Sequence, residues 1–248
     1  MEAMILAAGL GTRLRPLTDE IPKALVPVRG RPLLEHVMDR LVAAGATRLV
    51  VNTCHHSDQI AAWLKSHTPP GVEIALSHEP GGPWDTGGGF LAAAHLFRED
   101  GPIILHAVDV LSRIPLGTLL VEHGAARARL GDKVVATLAV QNRPAGRRLL
   151  FDDVGLMGWV SRDAGGREQA ARRVREPRGA VRDVAFAGIH VAQPALLRLT
   201  ERHGTFAIRE LYLDVAERGY VIWPADVSAF EWLDVGTPER LREAQARG

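Results

Sequence analysis

Short apolar runs alternate with amphipathic segments along the first half of the chain. Runs of this length are typical of buried strands, and they predict strands at residues 3–8, 48–53, 72–77 and 102–108. Apolar positions at helical spacing lie between them and predict helices at residues 33–44 and 57–66, with Ser57 as the N-cap of the second. This alternation predicts an α/β fold with a Rossmann-like, mixed but mainly parallel sheet flanked by helices.

The second half of the chain continues the alternation after one interruption. Helical spacing predicts helices at residues 91–97, 116–130 and 208–218 and from Thr237 onward, and apolar runs predict strands at residues 133–140, 184–191 and 220–223. Residues 143–182 are rich in glycine, proline and arginine, so they make a poor core and predict a small flap or hairpin insert. We expect one domain over residues 1–248.

Composition narrows the class of protein. The chain has 248 residues and is 46% hydrophobic, so a sizeable core is expected. Its formal net charge is +1, which is too small to favour binding to nucleic acid or to a membrane surface. Its one cysteine, Cys54, excludes an internal disulfide and a cysteine-rich metal site. With no basic leader and no long apolar run, we expect a cytoplasmic protein.

The first predicted strand leads into a glycine turn followed by basic residues. Gly9 and Gly11 let backbone N–H groups approach phosphate oxygens, and Arg13 and Lys23 bring positive charge. Leu14 stands where a dinucleotide-binding fingerprint has its third glycine, and no Gly-Lys-Ser/Thr sequence follows to make a Walker A loop. The pattern predicts a different kind of polyphosphate loop.

This extended string, with Pro22 and Lys23 following the glycine turn, resembles the signature of the sugar-1-phosphate nucleotidyltransferases, also called nucleotide-sugar pyrophosphorylases. The similarity extends to short bacterial forms such as N-acetylmuramate-1-phosphate uridylyltransferases and mannose-1-phosphate guanylyltransferase-like proteins. The resemblance implies that Arg13 and Lys23 are catalytic. It also implies nucleotide-binding residues in the glycine turn and in a second, glycine-rich segment, namely Leu6, Ala7, Ala8, Gly9, Gly11, Thr12, Glu79, Thr86, Gly87 and Gly88.

Two aspartates complete the resemblance. Asp109 follows the strand predicted at 102–108, and Asp234 lies in Trp-Leu-Asp-Val-Gly-Thr-Pro-Glu, residues 232–239; the family has magnesium-binding aspartates at both places. A hard cation held by two carboxylates and completed by phosphate oxygens suits Mg²⁺. The role of Glu79 stays open between accepting hydrogen bonds from a nucleobase and supporting its own loop.

The segment expected to bind the sugar phosphate departs from the family pattern. Many members carry Glu-Lys-Pro in the second half, whereas this chain has Arg-Glu-Pro at residues 175–177 and no lysine after Lys133. Arg175 or Arg178 is expected to take over phosphate binding, or the arginines are solvated; Gly188 is expected either to lie against the sugar or to be a packing glycine. The hexapeptide-repeat extension of the bifunctional relatives is missing, so no C-terminal β-helix is expected.

The resemblance implies Mg²⁺-dependent transfer of a nucleotidyl group from a nucleoside triphosphate to a sugar 1-phosphate by a monomer or homodimer. Two alternatives remain at this point. One is a non-catalytic regulatory subunit that binds nucleotide sugar, and the other is a nucleotidyltransferase with a non-sugar acceptor such as phosphocholine.

Overall fold

A computed structural model describes residues 1–98, 101–163 and 165–247. Residues 99, 100, 164 and 248 fall within the expected domain, and residue 164 within the expected insert, but they lie outside the described residues. The strands are β1 Glu2–Leu6, β2 Pro27–Val28, β3 Arg31–Pro32, β4 Arg48–Thr53, β5 Glu73–His78, β6 Ile103–Ala107, β7 Val110–Ser112, β8 Val134–Gln141, β9 Arg147–Asp152, β10 Gly155–Arg162, β11 Glu168–Arg173, β12 Arg182–Ala192, β13 Val221–Asp226 and β14 Trp232–Asp234. The helices are α1 Leu17–Glu20, α2 Leu33–Ala43, α3 Ser57–His67, α4 Asp85–Ala92, α5 Leu116–Leu130, α6 Ile208–Glu217 and α7 Pro238–Ala246.

Four parallel strands form one half of the main sheet in the order β5, β4, β1, β6. The register pairs Leu6 with Asn52 on one side and with Ala107 on the other. The carboxyl ends of the parallel strands therefore meet at one edge, which is where ligands bind in open sheets of this kind.

The sheet becomes mixed beyond β6. Strand β12 runs antiparallel to both β6 and β8, β13 runs parallel to β8, and the hairpins β9–β10 and β10–β11 extend the sheet through β12. The α/β class, the mixed sheet with parallel core strands and the flanking helices were all predicted correctly. In the described part of the chain there is no β-helix.

The strand pleat divides the core between the two faces of the sheet. Ala3 and Ile5 point into one buried cluster with Leu49 and Val51, whereas Met4 points into the other. This alternation places apolar layers above and below β1, as expected for a strand buried on both faces. Among the described residues, no helix combines the length and apolar character needed to cross a bilayer.

The structure differs from the sequence-based expectations at three places. Ser57 is the first residue of α3, and His56 occupies the N-cap position with a φ of 52° and no side-chain cap. Helix α4 begins at Asp85 and includes the three glycines, because their close packing against other segments outweighs low helix propensity. The segment 143–182 forms the hairpins β9–β10 and β10–β11, and it buries Leu149 and Phe151 in the core of the sheet, which its composition did not predict.

Candidate active site

A crevice of about 460 Å³ lies at the carboxyl ends of β1 and β6. Six residues that the sequence predicted for the site line it: Leu6, Ala8, Gly9, Lys23, Thr86 and Asp109. Six further residues line it that had not been assigned to the site: Asn52, Pro83, Asp85, Ala107, Val108 and Thr205. The crevice thus brings together the glycine turn, the segment before α4 and the loop after β6.

The glycine turn is folded back against Lys23. Gly11 has a φ of 64°, and a Cβ at this position would lie 2.8 Å from Thr18 Cγ2 and 3.2 Å from Lys23 Cβ. The Thr18 hydroxyl donates a hydrogen bond of 2.8 Å to the carbonyl oxygen of Gly11. Only glycine fits this backbone and this contact. The turn continues into a short 3-10 helix that begins at the exposed Thr12.

Lys23 and Asp109 form an ion pair across the crevice. The Lys23 ammonium donates to Asp109 Oδ2, and the Lys23 side chain is only 9% exposed while that of Asp109 is 23% exposed. Water screens such a pair poorly, so each group strongly influences the position of the other. Lys23, which is predicted to contact the phosphates, and Asp109, which is predicted to bind the metal, are therefore direct neighbours.

Asp234 reaches the same place on a separate two-stranded ribbon. Strands β7 and β14 pair with Asp234 opposite Val110, and the backbone N–H of Val235 donates to the carbonyl oxygen of Asp109 at 2.8 Å. Burial raises the pKa of the Asp234 carboxyl, and the charge of Asp109 raises it further. Two residues far apart in sequence thus become adjacent carboxylates.

Arg13 approaches Asp234 from the glycine-turn side. A Cβ built on Gly236 would lie 2.6 Å from Arg13 Nη2 and 2.6 Å from Asp234 Oδ1. The positive charges of Lys23, Arg13 and Arg143 all act on Asp234 and oppose the rise in its pKa. The site therefore combines two carboxylates with at least three cationic side chains.

The two carboxylates fit a divalent cation. Asp234 Oδ1 is buried and has no hydrogen-bond partner among the described residues, which is costly for a carboxylate oxygen unless a ligand satisfies it. No group of three or more histidine, cysteine, aspartate or glutamate side chains in the described chain is arranged to hold a metal. A cation here would accordingly need oxygens from substrate or water, as Mg²⁺ commonly does.

Glu79 supports its own loop, which is one of the two roles that the sequence left open, and its placement among the nucleotide-binding residues is corrected. It is 1% exposed, its Oε1 accepts from Asn52 Nδ2 at 2.7 Å, and its Oε2 accepts from the backbone N–H of Trp84 at 2.6 Å. Asn52 Oδ1 in turn accepts from the N–H of Ala7 at 2.7 Å. Sequence reasoning missed Asn52, although a polar residue near the end of an apolar strand beside β1 was a usable signal.

Gly87 and Gly88 are packing residues, and this too is a correction. A Cβ on Gly87 would lie 2.3 Å from the Phe206 ring, and one on Gly88 would lie 2.2 Å from the Gly204 carbonyl oxygen. Both backbone N–H groups donate to the carbonyl oxygen of Phe206. Neither glycine lines the crevice, whereas the neighbouring Thr86 does.

Arg175 does not reach the crevice, so its assignment to the sugar phosphate is corrected as well. Its guanidinium donates to both oxygens of Asp152, at 2.6 and 2.7 Å, and to the carbonyl oxygen of Gly155. Burial alone would raise the pKa of the Asp152 carboxyl, but hydrogen bonds from Arg175 and from two backbone N–H groups lower it to about 2. Arg175 therefore stabilises the insert.

Gly188 lies at the register shift in β12, beside the start of β7. Its φ is 75°, and a Cβ there would lie 3.0 Å from Val110 Cγ2. The preceding carbonyl, of Ala187, accepts a hydrogen bond of 2.7 Å from Trp232 Nε1. The bulge thus joins β12 to the ribbon that carries Asp234.

This fold, with carboxylates and cations brought together at the ends of parallel strands, is suited to a phosphorylated ligand and is found in α/β enzymes. The sequence matches the Nucleotidyl transferase family over residues 2–247, and the chain belongs to that family. It is 32% identical over 251 residues to N-acetylmuramate alpha-1-phosphate uridylyltransferase of Caulobacter vibrioides, covering 99% of this chain and 96% of the relative. The enzyme class predicted from the sequence, a nucleotidyltransferase, is thereby confirmed.

Two further similarities are more distant. The chain is 29% identical over 241 residues to the catalytic subunit beta of mannose-1-phosphate guanylyltransferase from Danio rerio, covering 96% of this chain but 62% of that relative. Its fold superposes on UDP-glucose pyrophosphorylase from Acinetobacter baumanii with a TM-score of 0.75 at 16% identity, covering 98% of this chain and 91% of the other.

Proposed function

We propose that the chain couples a nucleoside triphosphate to a sugar 1-phosphate, giving a nucleotide sugar and pyrophosphate. The observation that carries this proposal is the cluster of Lys23, Asp109, Asp234 and Arg13 at one edge of the crevice. Attack of one phosphate on another requires neutralisation of their mutual repulsion. This cluster supplies fixed positive charge together with two carboxylates that can bind a divalent cation.

In the proposed reaction, an oxygen of the sugar phosphate attacks the α-phosphorus of the nucleotide in line with the bond to the β-phosphate. That bond breaks, and its electrons leave with pyrophosphate. The attacking oxygen is already ionised, so no general base is required. Lys23 and Arg13 neutralise charge on the triphosphate, and the backbone of the glycine turn orients it.

Asp109 and Asp234 would hold Mg²⁺, which supplies charge neutralisation at the reacting phosphates when bound. Arg143 takes the place of the second lysine that the sequence lacks. Its guanidinium carbon lies 3.7 Å from the centre of the Trp232 ring, and Arg143 donates to the carbonyl oxygen of Phe186 at 3.1 Å. These contacts fix a cation whose charge acts on Asp234.

The test is release of pyrophosphate in the presence of Mg²⁺, with UTP, GTP, CTP, ATP and dTTP each offered against several sugar 1-phosphates and phosphocholine. UTP is the first nucleotide to test because the Caulobacter vibrioides relative is a uridylyltransferase. We expect Asp109→Asn to lower kcat by about a hundredfold or more, because it removes a charge at the reacting phosphates. Asp132→Asn is the matched control, since Asp132 is 97% exposed and lies outside the crevice.

Turnover of Asp109→Asn close to that of the unaltered chain would overturn the assignment of the site. Turnover with phosphocholine alone would identify the non-sugar acceptor instead. Binding of nucleotide sugar without pyrophosphate release in any combination would identify a regulatory subunit. Monomer or homodimer assembly, which we also propose, is measured by light scattering of the same preparation.

A further inference from the structure

A second cavity, of about 220 Å³, lies between the β8–β9 loop, strand β12 and helix α6. Three arginines line it, Arg143, Arg147 and Arg209, together with apolar side chains and Tyr212. Within the described residues, no carboxylate lines it. We call it the arginine cavity. A partly desolvated cluster of like charges is unfavourable unless an anion offsets it.

Two of these arginines lack an acidic partner. Arg143 and Arg147 form no ion pair to any described carboxylate, and Arg209 shares Glu210 with Arg172. Burial lowers the pKa of Arg147, and the neighbouring charge of Arg209 lowers it further. The protein therefore holds guanidinium groups together without neutralising them fully.

The positions of Arg147 and Arg209 are fixed by one aromatic ring. Their guanidinium carbons lie 4.8 and 5.4 Å from the centre of the Trp159 ring. Stacking of this kind leaves the edge N–H groups of Arg147 available to a planar anion such as a carboxylate. Arg209 already donates from Nε and Nη2 to Glu210 Oε1, at 3.1 and 2.8 Å, so its Nη1 is the group that it can offer to a ligand. The Tyr212 hydroxyl, on the wall of the cavity, is buried and has no partner in the described chain.

The arginine cavity adjoins the catalytic crevice. Arg143 lines the cavity and stacks on Trp232, which precedes Asp234 by two residues on β14. On the other side, the N–H of Ile208 donates to Thr86 Oγ1 at 2.9 Å; Ile208 lines the cavity and Thr86 lines the crevice. The cavity and the crevice are thus connected by direct contacts on two sides.

We propose that the arginine cavity is an acceptor subsite, in which Arg147 and Arg209 bind a carboxylate carried by the sugar 1-phosphate. This inference rests on the proposed function and narrows its acceptor from sugar 1-phosphates in general to acidic ones. Arg147 and Arg209 are specificity-determining residues on this view, and Arg143 positions the phosphate at the boundary with the crevice.

The test compares two acceptors that differ by a single lactyl ether, N-acetylmuramate 1-phosphate and N-acetylglucosamine 1-phosphate, with the nucleotide that supports turnover. The unaltered chain is expected to favour the carboxylated acceptor by at least about tenfold in kcat/KM. Arg147→Gln and Arg209→Gln are each expected to lower kcat/KM for that acceptor by about ten- to a hundredfold, mainly through KM, as for loss of a hydrogen bond to a charged group. Turnover of N-acetylglucosamine 1-phosphate is expected to change less than about threefold, which also reports that each variant is folded.

Two further variants sharpen the result. Arg147→Lys keeps the positive charge but cannot form the bidentate hydrogen bonds of arginine. It is expected to retain more of the preference for the carboxylated acceptor than Arg147→Gln does. Arg129→Gln is the matched control, because Arg129 also stacks on a tryptophan, Trp223, but lies outside the cavity. Equal losses on both acceptors, or a preference for the neutral acceptor in the unaltered chain, would overturn the subsite while the proposed function stands. Absence of pyrophosphate release with every acceptor would overturn both.

Discussion

Two histidines buried in the sheet are expected to make the stability of the protein sensitive to mild acid. His106 on β6 and His190 on β12 are 0% and 1% exposed. Burial lowers the pKa of His106 to about 4, and burial together with the nearby His106 lowers that of His190 to about 3. Both rings are therefore neutral in the folded chain at neutral pH.

The direction of the effect follows from proton binding. Because the folded pKa values lie below the ordinary value of 6.5, the unfolded chain binds more protons than the folded chain as the pH falls below about 6.5. Each histidine then costs about 2 kcal/mol of unfolding free energy at about pH 5, and the pair about 4 kcal/mol. That is a large part of the roughly 5–15 kcal/mol typical of folded domains.

Urea denaturation followed by circular dichroism at several pH values between about 7.5 and 5 measures this loss. His190→Phe keeps an aromatic ring against Phe186 and Tyr212 and removes one titrating group, so its loss of stability over this range is expected to be smaller by about 2 kcal/mol. His95→Gln, at an exposed histidine, is the control. A urea midpoint that does not move on acidification would refute the reasoning. So would a His190→Phe variant that loses as much unfolding free energy between about pH 7.5 and 5 as the unaltered chain.

Gly236→Ala is expected to lower kcat by at least about tenfold with little change in Tm, because the new methyl group would displace Arg13 or Asp234; an unchanged kcat would contradict this close contact. Glu79→Gln places a donor where both carboxylate oxygens accept, so we expect a loss of about 1–3 kcal/mol in urea denaturation and a raised KM for the nucleotide; an effect on KM without loss of stability would instead support base binding. Arg175→Gln leaves a buried carboxylate without its ion-pair partner and is expected to lower Tm while changing kcat/KM less than about threefold, whereas a selective loss of kcat/KM would return Arg175 to the sugar site.

The parts of the fold that depend on local pattern could be predicted from the sequence. Apolar periodicity located β4 and α5 at their observed bounds, because each is long enough to carry its own signal. The proximity of Asp109 and Asp234 was expected only from the motifs in which they lie. The separate ribbon of β7 and β14 that brings them together was not predicted.

The remaining errors concern partners that are distant in sequence. Nothing near Glu79 indicates that Asn52 will occupy one of its oxygens, and nothing near Gly87 indicates that Phe206 will fill the space beside it. The same holds for Arg175, which forms an ion pair with Asp152 on another strand. In each case the residue type suggested ligand binding, while tertiary packing assigned the side chain or backbone to a structural role.

The ribbon of β7 and β14 is hydrogen-bonded as a sheet of its own, apart from the main sheet. Asp109 precedes one of its strands and Asp234 ends the other, with the N–H of Val235 bonded to the carbonyl of Asp109. Val110 and Leu233 of this ribbon are buried in the core, and Trp232 Nε1 donates to the carbonyl oxygen of Ala187 on β12, so the ribbon is held against the main sheet. The spacing of the two carboxylates is therefore set by the backbone of one small unit, and a substitution that repacks this unit would move Asp109 and Asp234 together.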